Sequence, residues 1–449
     1  MHTTKRRAWP AVVLLVLTLA GLLSLGGWLW YDKNVDRSGW VEEEGVRFYQ
    51  DFHADPVTGW LDIEGELYFF LEGGIPVTGW QDIEETRYHF DETGVMDTGW
   101  QNIDGNTYFF GSDGVMRAGW MEVEGFRYYL PDGILATGWQ IINGNTYYFR
   151  TGGSMHTGWL ELEEDTYYLN EDGILLTGSQ TIEDEEYYFD DDGRMFTGWL
   201  YWADSRRYYR DDGTLATHWE EIDGKYYYLG EEGLMRTGWH QEGEYSYYLQ
   251  EDGSAAVGPT MVDGAMHYFT PRGIEVILVN RNNRVPAYYD MDLVTVTGWH
   301  QVDKRCYEAL VQMLADCNAA GIEYNFNSAH RTIAEQEQIL ELRTQEHMAN
   351  FKMDFDDAYA KALQTVAYPG TSEHHLGLAV DLLGEEAIAW FTEHCWDYGF
   401  IVRYTEEKEP ITGFVDEPWH FRYVGREVSL DMKNSGLCLE EYLGAAGNG

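Results

Sequence analysis

The segment SEHHLGLAVD sets His374 and His375 seven and six positions ahead of Asp381, and EPWHFRYVG sets Glu417 three positions ahead of His420. One histidine of the pair, Asp381 and His420 together offer two nitrogens and an oxygen. Three such donors leave one position of a tetrahedral ion open, which is what catalytic zinc requires. Glu417 would then stand beside the bound water as general base. The plainer alternative is a loop feeding a buried strand. Asp381 favours the metal, because LGLAVDLL is otherwise apolar and an unpaired buried carboxylate is costly. Spacing alone leaves His374 and His375 as rival ligands.

These residues need elements to carry them. In DKRCYEALVQMLADCNAAG, Tyr307, Leu310, Val311 and Leu314 fall at helical spacing, with Asp303 as N-cap and Gly321 as the stop. Ile322, Tyr324 and Phe326 then alternate as in a half-buried strand. Thr332 and Glu335 form a capping box that opens the next helix. Arg331 thus stands where a strand turns into a helix N-terminus, a place that favours an anion. An ordinary surface ion pair is its alternative reading. In the second apolar strand Leu378, Val380 and Leu382 face one way, Ala379 and Asp381 the other. Pro418 keeps Glu417 and His420 out of a helix interior. His347 and His394 sit on helical stretches and read as structural.

The rest of the 449-residue chain is of another kind. From Ser38 a unit of 19 or 20 residues recurs, as in TGWQNIDGNTYFFGSDGVM and TGWQIINGNTYYFRTGGSM. Its Trp anchors run from Trp40 to Trp239, and it degrades at Ser179 and Pro259. So short a unit makes one β-hairpin that must stack on its neighbours to bury its aromatic face. About twelve hairpins are expected, and most of their Trp and Tyr residues read as packing. The register ends near Ile274, and Thr297-Gly298-Trp299 reads as a coincidental copy of the anchor. Ahead of the repeats, Ala11 to Trp30 carries no charge and follows Lys5, Arg6 and Arg7. Twenty such residues span about 30 Å as a helix. They predict a signal anchor over 11–31 with residues 1–10 in the cytoplasm; a cleaved signal peptide is the alternative. Net charge is −47, from 77 acids against 30 Lys and Arg. That argues against nucleic acid and against docking on anionic lipid headgroups. Cys306, Cys317, Cys395 and Cys438 form no C-x-x-C pair and read as buried thiols.

Two resemblances sharpen these readings. Residues 38–273 resemble the cell-wall or choline-binding repeats of Gram-positive surface proteins, and the related glucan-binding and toxin repeats. Choline-binding repeats commonly carry a Trp before the Tyr-Tyr pair. Here that place holds Thr107, Thr146, Thr166, Glu186 and Arg207, with Tyr226 the aromatic exception. The departure disfavours choline and leaves a carbohydrate or other wall polymer as the repeat partner. Residues 274–449 resemble the zinc D-alanyl-D-alanine carboxypeptidases of the VanY type, with their L,D-carboxypeptidase relatives. LVNRNN, SAHRTIAEQ, PGTSEHHLGLAVD, GFIVRY and EPWHFRYVG carry this likeness in order. It implies His374, Asp381 and His420 as zinc ligands, with His375 on a variable position. It implies Glu417 as catalytic base and Arg331 on the substrate carboxylate or oxyanion. Gln336, Ser372 and Tyr404 fall on substrate-contacting positions. His330 departs from an aromatic usual before the arginine, which bears on the pocket rim. The expected whole is multidomain: a transmembrane helix, a β-hairpin repeat solenoid and an α+β zinc peptidase. It would sit in the cell membrane with its bulk at the wall, trimming D-alanine from peptidoglycan stem peptides. L,D-cleavage, wall endopeptidase activity, or an adhesin with a relic peptidase fold are the rivals.

Overall fold

The computed structural model describes residues 36–202 and 205–446. The expected anchor over 11–31 lies outside the described residues. Among the described residues no helix is long and apolar enough to cross a membrane.

Twelve hairpins of two five-residue strands are present among the described residues, from Gly39–Glu43 with Val46–Gln50 to Gly258–Val262 with Ala265–Phe269. The turn chemistry explains their regularity. Gly99–Ile103 and Asn106–Phe110 are joined by Asp104 and Gly105, at φ +52° and +82°. Two successive positive φ angles make a turn whose twist matches the strands, and Asp-Gly is its favoured pair. Trp80 shows the packing rule. Its ring lies 5.0 Å from His89 of its own hairpin and 4.8 Å from Tyr108 of the next. After the first hairpin, the last residue of the second strand, as at Phe90, Phe110 and Phe149, is fully buried. The aromatic stripe is therefore mainly structural, as its periodicity predicts.

The chain divides into two compact units, Met1–Gly178 with Phe189–Met195, and Ser179–Tyr188 with Phe196–Gly449. The second holds the later repeats and all the candidate chemistry. Past the repeats it begins with a hairpin, β1 (Leu293–Thr297) and β2 (His300–Asp303). Gly298 and Trp299 form its turn, and Trp299 is 85% exposed, unlike a repeat Trp. Helix α1 (Lys304–Ala319) follows, with the Asp303 carboxylate accepting from Arg305 N. Then come β3 (Asn325–Ser328), α2 (Ile333–Phe351), β4 (Ala379–Leu383), α3 (Glu385–His394), β5 (Phe400–Tyr404), β6 (Glu417–Tyr423) and α4 (Arg426–Ser435). The four later strands form one antiparallel sheet, ordered β3-β4-β6-β5. β3 is shorter than the alternation of Ile322, Tyr324 and Phe326 predicts; only Phe326 lies in it, opposite Leu382. Leu310, Leu314, Val380, Leu382, Phe391 and Phe421 meet in the core behind this sheet. All four cysteines are free and buried.

The repeat register ends near Ile274, but the packing continues past it. Tyr247, Ile274 and Val276 share a buried cluster with Ile401, Val424, Val428, Met432 and Leu443. The Tyr423 hydroxyl donates to Glu244 at 2.6 Å, and Glu427 N donates to the Tyr245 hydroxyl at 3.3 Å. The last repeats and the α+β region of this unit thus share one core.

Candidate metal centre

All eight candidate residues line one cavity of about 500 Å³. Ser372 caps the short helical turn Glu373–Leu376, its side chain accepting from His374 N. Gly377 ends that turn at φ +67°, where a Cβ would stand 2.8 Å from Asp303 N. The tight turn drops the chain straight into β4. There Asp381 pairs with His420 across the ladder, so the sheet register itself sets one ligand beside another.

His374, Asp381 and His420 are all buried, and one donor atom from each lies within 4.8 Å of the others. His374 Nδ1 is 2.7 Å from the Ala329 carbonyl. It can only donate there, which leaves Nε2 a bare lone pair. That atom is buried without a hydrogen-bond partner among the described residues and lies 3.2 Å from Asp381 Oδ2. Two acceptors so close and so buried need a proton or a metal ion between them. His420 Nδ1 is 2.9 Å from Asp381 Oδ1. Two imidazoles and one carboxylate suit zinc, and three ligands leave a position for water or substrate.

The electrostatics of the two histidines differ. Burial, helped by Arg331, lowers His374 to about 4, so its imidazole is neutral and ready to ligate. Burial also works against the charge on Asp381, but His374 and His420 hold its carboxyl well below the usual range. Burial opposes protonation of His420, yet its hydrogen bonds to Asp381 and Glu373 raise it to about 9. Burial pushes Glu417 up to about 7, near where a general base is most effective.

His375 is engaged elsewhere. Its Nδ1 donates to the Arg331 carbonyl at 2.7 Å and its Nε2 accepts from Gly370 N at 3.1 Å. His374→Ala is therefore expected to empty the metal site. His375→Ala should keep zinc and cost about 1–3 kcal/mol of stability through the unpaired backbone groups. Zinc content and thermal unfolding of both variants check this; loss of zinc from His375→Ala alone would shift the ligand register by one residue.

Arg331 lies 3.6 Å from Asp381 Oδ2 through Nη2, and its Nη1 donates to Gln336 Oε1 at 2.8 Å. Its Nε is buried without a hydrogen-bond partner among the described residues, and burial lowers its pKa. A guanidinium so placed has capacity left for an anion. Gln336 also donates to the Ala367 carbonyl at 2.8 Å, so both ends of its amide hold structure. Tyr404 packs its ring 5.1 Å from that of His420. Glu417 opens β6 opposite Tyr404, and a register shift follows between Val402 and Tyr404. Three residues of β6, Pro418 to His420, span what one residue of β5 spans. This irregularity lets Glu417 and His420, of opposite parity, both reach the cavity. His330 is half-buried and does not line it; His394 donates to the Trp390 carbonyl on its own helix.

Sequence reasoning missed the charges behind the site. Glu373, Arg403, Arg422 and Glu440 are all buried. The signal was there: Arg403 in GFIVRY and Arg422 in HFRY interrupt apolar strands as Asp381 does.

Comparisons with known proteins point to the same region of the chain. The family model for D-alanyl-D-alanine carboxypeptidase, VanY, matches residues 299–426. The choline-binding repeat model matches 97–133, 136–173 and 176–218, and a cell wall binding repeat model matches 78–96, 217–235 and 237–255. A D-alanyl-D-alanine carboxypeptidase of Enterococcus faecalis is 41% identical over 177 residues, 37% of this chain and 65% of the relative. The chain thus spans just under two thirds of that relative's length. The bifunctional D-Ala-D-Ala dipeptidase and carboxypeptidase VanXYC of Enterococcus gallinarum is 36% identical over 141 residues, 28% of this chain and 69% of the relative. The solved D,D-pentapeptidase VanY of a VanB-type resistance cassette, a complex with Zn(II), is 40% identical, covering 37% of this chain and 97% of that one, at a TM-score of 0.36. Through the region that builds the buried His–Asp–His cluster, the chain belongs to the VanY family of D-alanyl-D-alanine carboxypeptidases.

Proposed function

We propose that the protein is a zinc carboxypeptidase that removes the C-terminal D-alanine from peptidoglycan stem peptides outside the cell. The observation that carries this reading is one cavity in which His374 Nε2 faces the Asp381 carboxylate, with no hydrogen-bond donor to it among the described residues, beside Glu417 and Arg331. His374, Asp381 and His420 would hold the ion. Bound there, zinc supplies a water of lowered pKa and polarises the scissile carbonyl. Glu417 takes the proton of the attacking water and returns it to the leaving amine. Arg331 receives the terminal carboxylate or the developing oxyanion. Ser372 and Tyr404 shape the wall against which the last residues lie.

The repeats bind a wall polymer, with half-exposed faces such as Trp100 and Trp139 suited to stacking on sugars. Residues 11–31 anchor the chain in the membrane and leave the bulk of it at the wall.

The test is release of D-alanine from a synthetic pentapeptide ending in D-Ala-D-Ala, beside the same peptide amidated at its C-terminus. Only the free acid should be cleaved. Arg331→Ala should lower kcat/KM about a hundredfold on it, in line with loss of a buried charge-assisted hydrogen bond. Equal cleavage of the amide would turn the reading to an endopeptidase. No release from either peptide by the zinc-loaded protein would end it.

A further inference from the structure

Glu373 stands between the cap residue Ser372 and the ligand His374, and its side chain is fully buried. Its Oε1 accepts from Arg403 Nε at 2.9 Å and lies 3.2 Å from Arg422 Nη1. Arg403 also donates to both oxygens of Glu440, at 2.9 and 2.6 Å, and Asn280 donates to Glu440 at 3.0 Å. Two carboxylates thus face two guanidiniums, and the group is neutral within itself. Such a set is expensive to bury, and apolar residues of the same volume often serve a core as well or better. Its presence calls for a use beyond packing.

The link to the metal centre is the second oxygen. Glu373 Oε2 lies 3.3 Å from His420 Nε2. A carboxylate held by two guanidiniums remains an anion, and an anionic carboxylate only accepts. The proton of this contact therefore belongs to His420 Nε2. The other ring nitrogen, Nδ1, lies 2.9 Å from Asp381 Oδ1 on the side of the cluster, and it is the one left for a metal ion to take. His374 is set the opposite way, because its Nδ1 donates to the Ala329 carbonyl and its Nε2 faces the cluster. One histidine is thus oriented by a neutral carbonyl and the other by a buried carboxylate.

We propose that Glu373 is a positioning residue, which holds His420 in the Nε2–H tautomer and the ring orientation that offers Nδ1 to the metal. The proposal rests on the zinc reading of the cluster. Arg403 and Arg422 keep Glu373 in the accepting state, and Glu440 balances the charge of Arg403. A carboxylate behind a ligating imidazole makes it a stronger donor and fixes its direction, an effect worth roughly 10- to 100-fold in metal affinity.

The test is zinc affinity by chelator competition for the unaltered protein, Glu373→Gln and Glu440→Gln. The two variants remove equal charge from the same buried network, but only Glu373 touches His420. Glu373→Gln should bind zinc about 10- to 100-fold more weakly, and Glu440→Gln should stay near the unaltered value while losing thermal stability. Equal weakening in both variants, or none in Glu373→Gln, would overturn the proposal. If Glu373→Gln does not fold, the unaltered protein still decides. Long-range ¹H–¹⁵N spectra of its histidine rings with zinc bound, with His420 assigned by substitution, should show His420 carrying its proton on Nε2. A proton on Nδ1 would overturn the proposal while leaving zinc binding intact. A protein that takes up no zinc would instead remove the zinc reading and the proposal with it.

Discussion

Glu417→Ala is expected to keep its zinc and to lose peptide cleavage by about 10²- to 10⁴-fold, the range that a positioned acid–base group contributes. The donor atoms of the metal cluster come from His374, Asp381 and His420, and Glu417 is not among them. Its substitution leaves the ion's ligands intact and removes the group that moves the proton. The pH dependence carries the same information. Burial raises Glu417 to about 7, and a base must be unprotonated to act. In the unaltered enzyme kcat/KM should therefore fall as pH drops through the pKa of Glu417. Arg331 and His420 already pull that value down, and a divalent ion beside them pulls it further, so the acidic limb should lie at or below about pH 7. Bound zinc, D-alanine release and the pH profile are measured together on both proteins. A variant that turns over at near-normal rate with an unchanged acidic limb would take Glu417 out of the mechanism.

The second large effect concerns where the enzyme can be cut. The end of the repeat pattern near Ile274 suggests that a fragment starting there should cleave small peptides as fast as the full ectodomain. The packing sets a different expectation. Tyr247 is 8% exposed and lies in one cluster with Val276, Ile401 and Val428. Removing a buried aromatic from such a cluster costs about 3–5 kcal/mol, against roughly 5–15 kcal/mol for a whole domain. The Arg272 pairs to Glu427 and Asp431 are half exposed and add little. A fragment of residues 274–449 should therefore melt about 10 °C or more below one of residues 196–449 and lose activity on a soluble pentapeptide. The longer fragment should match the full ectodomain on that peptide. On purified sacculi the full ectodomain should be faster, because many weak repeat sites raise its local concentration at the polymer. Equal melting temperatures and rates for the two fragments would show that the last repeats are dispensable to the fold.

Much of this was legible in the chain itself. Hairpins follow from period and turn chemistry: the Asp-Gly pair at 104–105 with alternating apolar residues admits little else. The capping box at Thr332 and Glu335 and the N-cap at Asp303 follow from side-chain chemistry within a few residues, and both form. Asp381 announced a partner by standing in an apolar strand. What local pattern cannot carry is long-range register. That Asp381 lies opposite His420, 39 residues on, is decided by the pairing of β4 with β6. That Glu417 reaches the same cavity depends on the irregular stretch at Pro418, which breaks the alternation a strand predicts. The choice between His374 and His375 turns on which ring nitrogens the backbone has already taken, through Ala329, Arg331 and Gly370. The charges behind His420 come from four separate segments, and the last repeats join the core of the α+β region across a boundary at which the sequence pattern changes. Periodicity reports what one element buries; only the tertiary structure decides against what it is buried.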